Sequence, residues 1–216
     1  MIALIRKIDL ALKEIYNLDS SQTAEEFLIQ ELKEGLQVRS ANYHGALLIK
    51  EDGDLNVGIY LDEEIKSGLM GAEKKEPGDW NIEELNAFAV ATEEISHLNY
   101  LIYVAGCGRQ VSQLELELQG EIDRFVVFYY AMKSQNIDEE KLFQDLLERF
   151  FSLFRWKDGL APLEKDRYAM AHSLARRFFH REAKHFSKHC KEETRLRFLR
   201  TFYRLNAPEK LSRIGL

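Results

Sequence analysis

A helical hairpin is predicted by three stretches of this sequence: Glu94-Ile95-Ser96-His97, the break Gly106-Cys107-Gly108, and Leu114-Glu115-Leu116-Glu117-Leu118-Gln119-Gly120-Glu121-Ile122-Asp123. Apolar side chains recur at helical spacing from about Ile82 to Ala105, where the glycines end the helix. A second helix begins after Ser112, whose capping box is completed by Glu115, and continues to about Met132. The short break between the helices predicts that they pack antiparallel.

The antiparallel register brings polar residues to the interface between these two helices. Positions whose numbers sum to about 218 lie level with each other, so His97 faces Glu121 and Glu94 faces Arg124. Glu94 and His97 are three residues apart, and Glu117 and Glu121 are four apart, so each pair shares one helix face. The four side chains are therefore expected to converge.

Carboxylates and an imidazole among apolar neighbours are suited to binding a divalent ion or to transferring protons. One hypothesis is a metal-assisted or acid/base hydrolase in which His97 is the base or a ligand and the glutamates are ligands or orienting groups. Its catalytic residues would be Glu94, His97, Glu117 and Glu121, supported by Ser96, Asn99, Gln119 and Asp123. The competing interpretation is an ordinary ion-pair network with Arg124, because such networks also occur without any catalytic role.

A second Glu-x-x-His pair occurs at Glu182 and His185. Two such pairs on facing helices resemble the carboxylate-bridged di-iron bundles in that respect alone. The family also needs a carboxylate from each of two further helices, for which Glu121 is one candidate and Glu31 or Glu34 the other. The metal ligands predicted in this way are Glu94, His97, Glu121, Glu182 and His185. Glutamate is so frequent in this chain that such pairs also arise by chance, and a predicted β-hairpin departs from the family.

Glu182 also has a plainer explanation. It lies on an apolar stripe between Phe179 and Phe186, where a buried carboxylate needs a partner. His185, His189 or an arginine from another helix would be that partner without any catalysis. Zinc is a further alternative, because the ligand types occur at His180, His185, His189 and Cys190, although their spacing does not match a zinc motif.

Six cations follow one another at steps of four and three residues near the C-terminus. They are Arg177, Arg181, Lys184, Lys188, Lys191 and Arg195. On a single helix they would occupy one face about 27 Å long. Stacked like charges repel each other, so the pattern predicts an anionic counterpart: nucleic acid, an acidic protein surface, or the acidic part of this chain. A solvated face without a partner is the remaining alternative.

Charge is distributed unevenly along the chain. The formal net charge is −6, but residues 162–216 carry +8 and the first 161 residues carry −14. The first functional hypothesis is therefore a cytoplasmic interaction or regulatory protein whose basic C-terminal helix engages an acidic partner or nucleic acid. The hydrolase is the alternative, and the cofactor it implies is a divalent metal ion.

Composition sets the class of protein. With 216 residues and 45% hydrophobic content, the chain can bury a sizeable core. Cys107 and Cys190 are too few for a disulfide framework, and charges at Arg6, Lys7 and Asp9 interrupt any signal peptide. The sequence contains no uncharged apolar run long enough to span a membrane. We therefore expect a cytoplasmic protein without membrane insertion.

The N-terminal third predicts two helices and a β-hairpin. Residues 2–15 are amphipathic, and Thr23 with Glu26 forms a capping box for a second helix whose apolar side contains Phe27, Leu28, Leu32 and Leu36. Two apolar runs at 46–50 and 55–61 flank the turn-forming Asp52-Gly53 pair. Residues 66–80, with three glycines and Pro77, predict a flexible connection.

The C-terminal half predicts helices only. A fifth helix covers about 138–156, and Pro162 opens a region without Gly or Pro from Glu164 to Leu205, in which the sequence marks no break between one helix and two. The fold class is therefore α+β and predominantly α-helical: a helical bundle with a small N-terminal β-hairpin subregion. The predicted division is 1–70 for the two helices plus hairpin, 71–80 for the flexible connection, and 81–216 for the bundle with its basic helix. One continuous domain is the alternative.

Overall fold

The computed structural model describes residues 1–30, 44–52, 54–133, 135, 138–152 and 161–216. These residues form eight α-helices and a three-stranded sheet, which confirms the predominantly helical α+β class. The elements are α1 (Ile2–Tyr16), β1 (Leu28–Ile29), β2 (Gly45–Asp52), β3 (Asp54–Leu61), α2 (Glu63–Ala72), α3 (Ile82–Gly106), α4 (Gln113–Lys133), α5 (Glu139–Ser152), α6 (Pro162–Glu182), α7 (Glu192–Arg204) and α8 (Ala207–Ile214).

The first helix, α1, forms as its amphipathic pattern predicts. Its buried face includes Leu4, Ile8 and Leu12, which recur at steps of four residues. Asn17 ends the helix in the left-handed conformation at φ 52°, a conformation that asparagine tolerates better than most residues. The helix packs mainly against α3 and α7, so it covers one side of the hairpin that α3 forms with α4.

The predicted second helix is wrong in its described part. The carboxylate of Glu26 accepts hydrogen bonds from the backbone N and the hydroxyl of Thr23, as in the predicted capping box, but only a single 3₁₀ turn follows, Ala24–Phe27. Leu28 then enters β1, because it pairs in parallel with Ile59 of β3. A tertiary strand pairing has overridden the local helix signal. The predicted helix positions Leu32 and Leu36, and the candidate ligands Glu31 and Glu34, lie outside the described residues.

The β-hairpin is confirmed. Strands β2 and β3 pair antiparallel from Gly45 opposite Leu61 to Asp52 opposite Asp54, and β1 lies on the other side of β3. Gly58 stands where β3 meets β1, and a Cβ atom there would lie 2.1 Å from Cδ1 of Ile29, so only glycine fits. The described part of the sheet packs against α3.

Part of the predicted connection at 66–80 is helical. Residues up to Ala72 belong to α2, whose N-terminus is capped by Asp62, and α2 packs along α3. A 3₁₀ turn at Pro77–Asp79 follows, and the indole Nε1 of Trp80 donates to the carbonyl of Ala72 at 3.0 Å. The two glycines inside α2 are tolerated because burial of Leu69 and Ala72 against α3 outweighs their low helix propensity. The division into subregions stays a prediction.

The central hairpin of α3 and α4 is confirmed within one residue at each end. Asn81 and Glu84 cap α3 reciprocally, and the hydroxyl of Ser112 accepts from the backbone N of Glu115 at the start of α4. Gly108, at φ 65°, makes the turn between the helices possible. Other helices cover both, so α3 and α4 bury polar as well as apolar side chains.

The C-terminal region divides into three helices with no glycine or proline at the first break. After α6, the chain forms a 3₁₀ turn at Ala183–Phe186 and turns away to start α7 at Glu192. Phe186 is buried at this break and stacks on Phe143 at 4.9 Å. The guanidinium of Arg195 donates to the carbonyl of His185 at 2.7 Å, which satisfies an acceptor that the break exposes. Tertiary packing therefore ends α6.

Candidate functional site

The predicted hairpin residues meet between α3 and α4. Nδ1 of His97 lies 3.6 Å from a carboxylate oxygen of Glu94, and its Nε2 lies 3.8 Å from a carboxylate oxygen of Glu117. Glu94, His97, Glu117 and Glu121 are each at most 8% exposed. We call these four residues together with Glu93 the carboxylate cluster. The structure thus brings Glu94, His97 and Glu117 together, while Glu121 is linked to Glu93 through Arg124.

The register differs from the prediction by one residue, and this changes the partners. Arg124 was predicted to face Glu94, but its guanidinium donates to Glu93 at 3.0 Å and to Glu121 at 2.5 Å. His97 lies against Gly120 and Glu117 rather than level with Glu121. Sequence reasoning missed Glu93, although a register sum of 217 instead of 218 would have found it.

A third helix, α6, contributes residues that the sequence analysis did not select. Nε of Arg167 lies 3.4 Å from Glu117, and Nδ1 of His172 lies 3.2 Å from Glu121. Tyr168 of α6 also lies near the cluster. Burial and the negative charges of Glu93, Glu117 and Glu94 raise the pKa of its hydroxyl. The spacing of these three positions along α6 is helical, but only the docking of α6 on α4 reveals that they face the cluster.

The carboxylate cluster governs the protonation of its histidine. Burial acts to lower the pKa of His97, but the nearby carboxylates of Glu94, Glu117 and Glu93 outweigh it and raise the pKa to about 9. The same environment raises the pKa of Arg124, chiefly through the charges of Glu121 and Glu93, against the effect of burial. Without a metal ion, the negative charges of the cluster therefore strongly favour the protonated forms of His97 and Arg124.

Three cluster residues have the geometry of a metal site. One ligand atom each from Glu93, His97 and Glu117 lies within 4.8 Å of the other two, and all three residues are buried. Within the described part of the chain, the other such group is His44, Asp62 and Glu64, which is partly exposed. Of the predicted ligands, Glu94 faces the other ring nitrogen of His97, and Glu121 contacts Arg124 and His172.

The second Glu-x-x-His pair is remote from the cluster. Glu182 lies ten residues beyond His172 on α6, about 15 Å along the helix. Its carboxylate oxygens lie 3.5 Å from His185 Nε2 and 3.5 Å from Arg213 Nε. The di-iron arrangement is thus wrong, and the plainer interpretation of Glu182 as a buried carboxylate with local partners is confirmed. His180 and His189, from the zinc alternative, are both exposed.

The predicted basic helix face is interrupted. Arg177 and Arg181 lie on α6, Lys184 lies in the following 3₁₀ turn, and Lys188 and Lys191 precede α7. The prediction that Arg195 is a surface cation is wrong, because this residue is 0% exposed. Its guanidinium bonds the carboxylates of Glu139 and Glu192, each at 2.8 Å. For this one residue, docking within the protein accounts for the charge.

An open groove of about 690 Å³ lies between the end of α6 and α8. Its cationic lining comes from Arg181, Lys184 and Arg213, and Glu182 and Glu209 also line it. Leu205 and Pro208 supply apolar surface. Two members of the predicted basic series thus face one concave surface that includes an unpredicted arginine from α8.

The predicted supporting residues form a separate buried network. Ser96 and Gln119 donate to the carboxylate of Asp123 at 2.6 and 2.7 Å, and the hydroxyl of Tyr16 also donates to it. Burial raises the pKa of Asp123 to about 6 although these hydrogen bonds act to lower it. Asn99 instead donates to Asp9 at 2.9 Å. The network stabilises the packing of α1 on the hairpin.

Comparison with known proteins identified no relative: no family model, no curated protein and no solved structure matches this chain. None of the described helices is long and apolar enough to cross a membrane.

Proposed function

We propose that this protein is an interaction protein that binds an acidic polypeptide segment through an exposed basic surface near its C-terminus. We define that surface as Arg177, Arg181, Lys184, Lys188 and Lys191, all of which are exposed. The observation that carries the proposal is the absence, among the described residues, of any ion pair to Arg181, Lys184, Lys188 or Lys191.

Pairing within the protein supports this selection of residues. Other cations of the same region already have partners: Arg195 binds Glu139 and Glu192, and Arg167 lies against Glu117. Among the described residues, the lysines of the basic surface and Arg181 have no such ion pair, although Lys188 lies close enough to Asp138 to lower the pKa of that carboxyl. Their like charges repel one another until an anion binds. An acidic partner would therefore gain affinity from charges that the fold leaves uncompensated.

The groove beside α8 favours a polypeptide segment over nucleic acid. Arg181, Lys184 and Arg213 can receive carboxylates there, while Leu205 and Pro208 offer contacts to apolar side chains. A nucleic acid would extend its phosphates beyond the groove, towards a protein whose first 161 residues carry −14. A short segment confined to the groove avoids that repulsion.

The hydrolase hypothesis receives less support. Its residues Glu94, His97, Glu117 and Glu121 are at most 8% exposed, and helix α6 lies over them through Arg167 and His172. A hydrolytic site needs a substrate within hydrogen-bond reach of its base. Among the described residues, the burial of these side chains beneath α6 limits access of a substrate to the base, so we favour the interaction hypothesis.

Fluorescence anisotropy with a labelled glutamate-rich peptide of about a dozen residues tests the proposal. The double variant Lys184→Glu/Lys188→Glu should weaken binding at least tenfold, because exposed ion pairs contribute up to about 1 kcal/mol each and reversal replaces attraction by repulsion. The matched control is Lys7→Glu/Lys74→Glu, which changes the net charge equally at exposed positions away from the C-terminal region. It should change affinity by less than threefold.

Three outcomes would overturn the proposal. They are no saturable peptide binding, equal weakening by both double variants, and affinity that does not fall when salt is raised from about 0.05 to 0.3 M, which shortens the screening length about 2.5-fold. A single-stranded DNA of the same length is the competing probe. Tighter binding of DNA than of the peptide would replace the acidic polypeptide by nucleic acid as the partner.

A further inference from the structure

We infer that Glu93, His97 and Glu117 bind one divalent transition-metal ion between α3 and α4. Their three ligand atoms lie within 4.8 Å of one another in the protein interior. One imidazole and two carboxylates form a mixed donor set that suits zinc, cobalt, iron or manganese. The imidazole disfavours magnesium and calcium, which take oxygen ligands almost exclusively. This inference is independent of the basic surface.

The strongest observation is the orientation of the His97 ring. Its Nε2 atom is buried and has no hydrogen-bond partner among the described residues, and it points at the cluster, 3.8 Å from a carboxylate oxygen of Glu117. Two ligands of a tetrahedral zinc ion lie roughly 3.4 Å apart, as follows from metal–ligand distances near 2.1 Å. Small side-chain rotations therefore suffice to close the site. A metal bond would satisfy a nitrogen that is costly to leave unpaired.

The opposite ring nitrogen has the partner that metal-binding histidines usually have. Nδ1 lies 3.6 Å from the carboxylate of Glu94, which is itself 3% exposed. A carboxylate at this nitrogen fixes the ring orientation and increases the donor strength of the other nitrogen. Glu94 is thus a positioning residue, although the sequence had suggested it as a ligand.

The charge balance of the cluster fits a divalent ion. Four buried carboxylates gather there, from Glu93, Glu94, Glu117 and Glu121. The guanidinium groups that contact them belong to Arg124 and Arg167, so two positive charges face four negative ones. Buried charges are costly unless they are compensated. Protonated His97 adds a third positive charge, and a divalent ion bound in place of that proton would bring the positive charges to four.

Gly120 allows the metal-facing side of the His97 ring to lie close against α4. A Cβ atom at this position would lie 2.8 Å from Nε2 of His97, and 3.4 Å from Cγ of Glu93. Glycine in the interior of a helix costs about 1 kcal/mol relative to alanine. Its place here lets Nε2 of His97 and the side chain of Glu93 lie close together against the backbone of α4.

Calorimetric titration of the full chain with Zn²⁺, after treatment with a chelator, tests the inference. We expect one ion per chain at this site, and a Co²⁺ titration should give the visible absorption of a nitrogen- and oxygen-ligated ion. His97→Gln should weaken binding at least a hundredfold, and Glu94→Gln by about ten- to a hundredfold, the usual effect of removing a carboxylate behind a histidine ligand. Circular dichroism checks that each variant folds.

Two further variants keep the result decisive. Gly120→Ala retains all three ligands and favours the helix, so a loss of at least tenfold in Zn²⁺ affinity would come from the occupied space rather than from unfolding. His44→Gln removes the partly exposed group at His44, Asp62 and Glu64, and should leave binding at the buried site unchanged. No saturable Zn²⁺ binding, or binding that survives His97→Gln or is abolished by His44→Gln, would overturn the inference and leave the cluster as an ion-pair network.

Discussion

Lys210 on α8 is a buried lysine whose cost to the fold should depend on pH. It is 0% exposed, and its Nζ donates to the hydroxyl of Tyr100 at 2.7 Å and to Oε1 of Gln119 at 2.8 Å. Burial lowers its pKa to about 7, although the carboxylates of Glu115 and Asp123 act to raise it. Desolvation therefore outweighs the attraction of the nearby negative charges.

The sign and the size of the effect follow from linkage. Below pH 7 the lysine is protonated in both states, so the folded protein bears the full cost of burying the cation. As the pH rises from 7 to 10.5, the folded lysine is neutral while the unfolded one still binds a proton, so this cost is progressively removed. Between pH 7 and pH 9, Lys210 should therefore add about 2 kcal/mol to the free energy of unfolding.

Urea unfolding of the wild type and Lys210→Met at both pH values measures this gain. The wild-type free energy of unfolding minus that of the variant should rise by about 2 kcal/mol from pH 7 to pH 9. Groups such as His97 that titrate in the same window are present in both chains and cancel from this difference. For Lys74→Met, at an exposed position, the corresponding difference should be the same at both pH values. A Lys210 difference that stays constant or falls would refute the reasoning.

Three further predictions concern stability. Arg195→Met should destabilise the protein by about 1–2 kcal/mol in urea, because it removes hydrogen bonds to Glu139, Glu192 and the carbonyl of His185 while Lys133 still pairs with both carboxylates; no measurable cost would contradict this. The pKa of Asp123 is raised to about 6, so the folded carboxyl keeps its proton to a higher pH than the unfolded one. The contribution of Asp123 to the free energy of unfolding should therefore fall by about 2 kcal/mol from pH 4 to pH 7. Asp123→Asn should remove that fall, and an unchanged pH profile would argue against it. Phe186→Ala should lower the free energy of unfolding by about 3–5 kcal/mol, and Phe186→Leu by less, because leucine leaves a smaller cavity. Thermal unfolding measures both losses, and equal losses would show that packing is not their cause.

Local signals predicted much of the fold. The Asn81–Glu84 cap fixes the start of α3, Ser112 caps the start of α4, and the Gly106-Cys107-Gly108 break ends α3, because such signals depend on neighbouring residues only. The alternating apolar runs around Asp52-Gly53 predicted β2 and β3 for the same reason. Where a pattern was short or weak, as at Thr23 and at 66–80, tertiary contacts decided between helix, strand and loop.

The candidate site was predicted in its location but not in its chemistry. Helical spacing placed His97 near the glutamates of α4, and antiparallel packing then required them to meet. Whether Glu93 or Glu94 faces the ligand nitrogen of His97 depends on a register shift of one residue between α3 and α4. The predicted antiparallel register was not accurate enough to decide this. Arg167 and His172 come from α6, far away in sequence, so no local pattern marked them.

Spacing within a few residues was enough to predict the starts of α3 and α4, the β-hairpin and the meeting of a histidine with carboxylates, and composition alone showed the uneven charge. Only the tertiary structure decided which charges are compensated. It buried Arg195 and Lys210, left Lys184 and Lys188 exposed, and covered the carboxylate cluster with α6. The physical reason is that burial and charge pairing depend on contacts between residues distant along the chain, which a one-dimensional pattern does not encode.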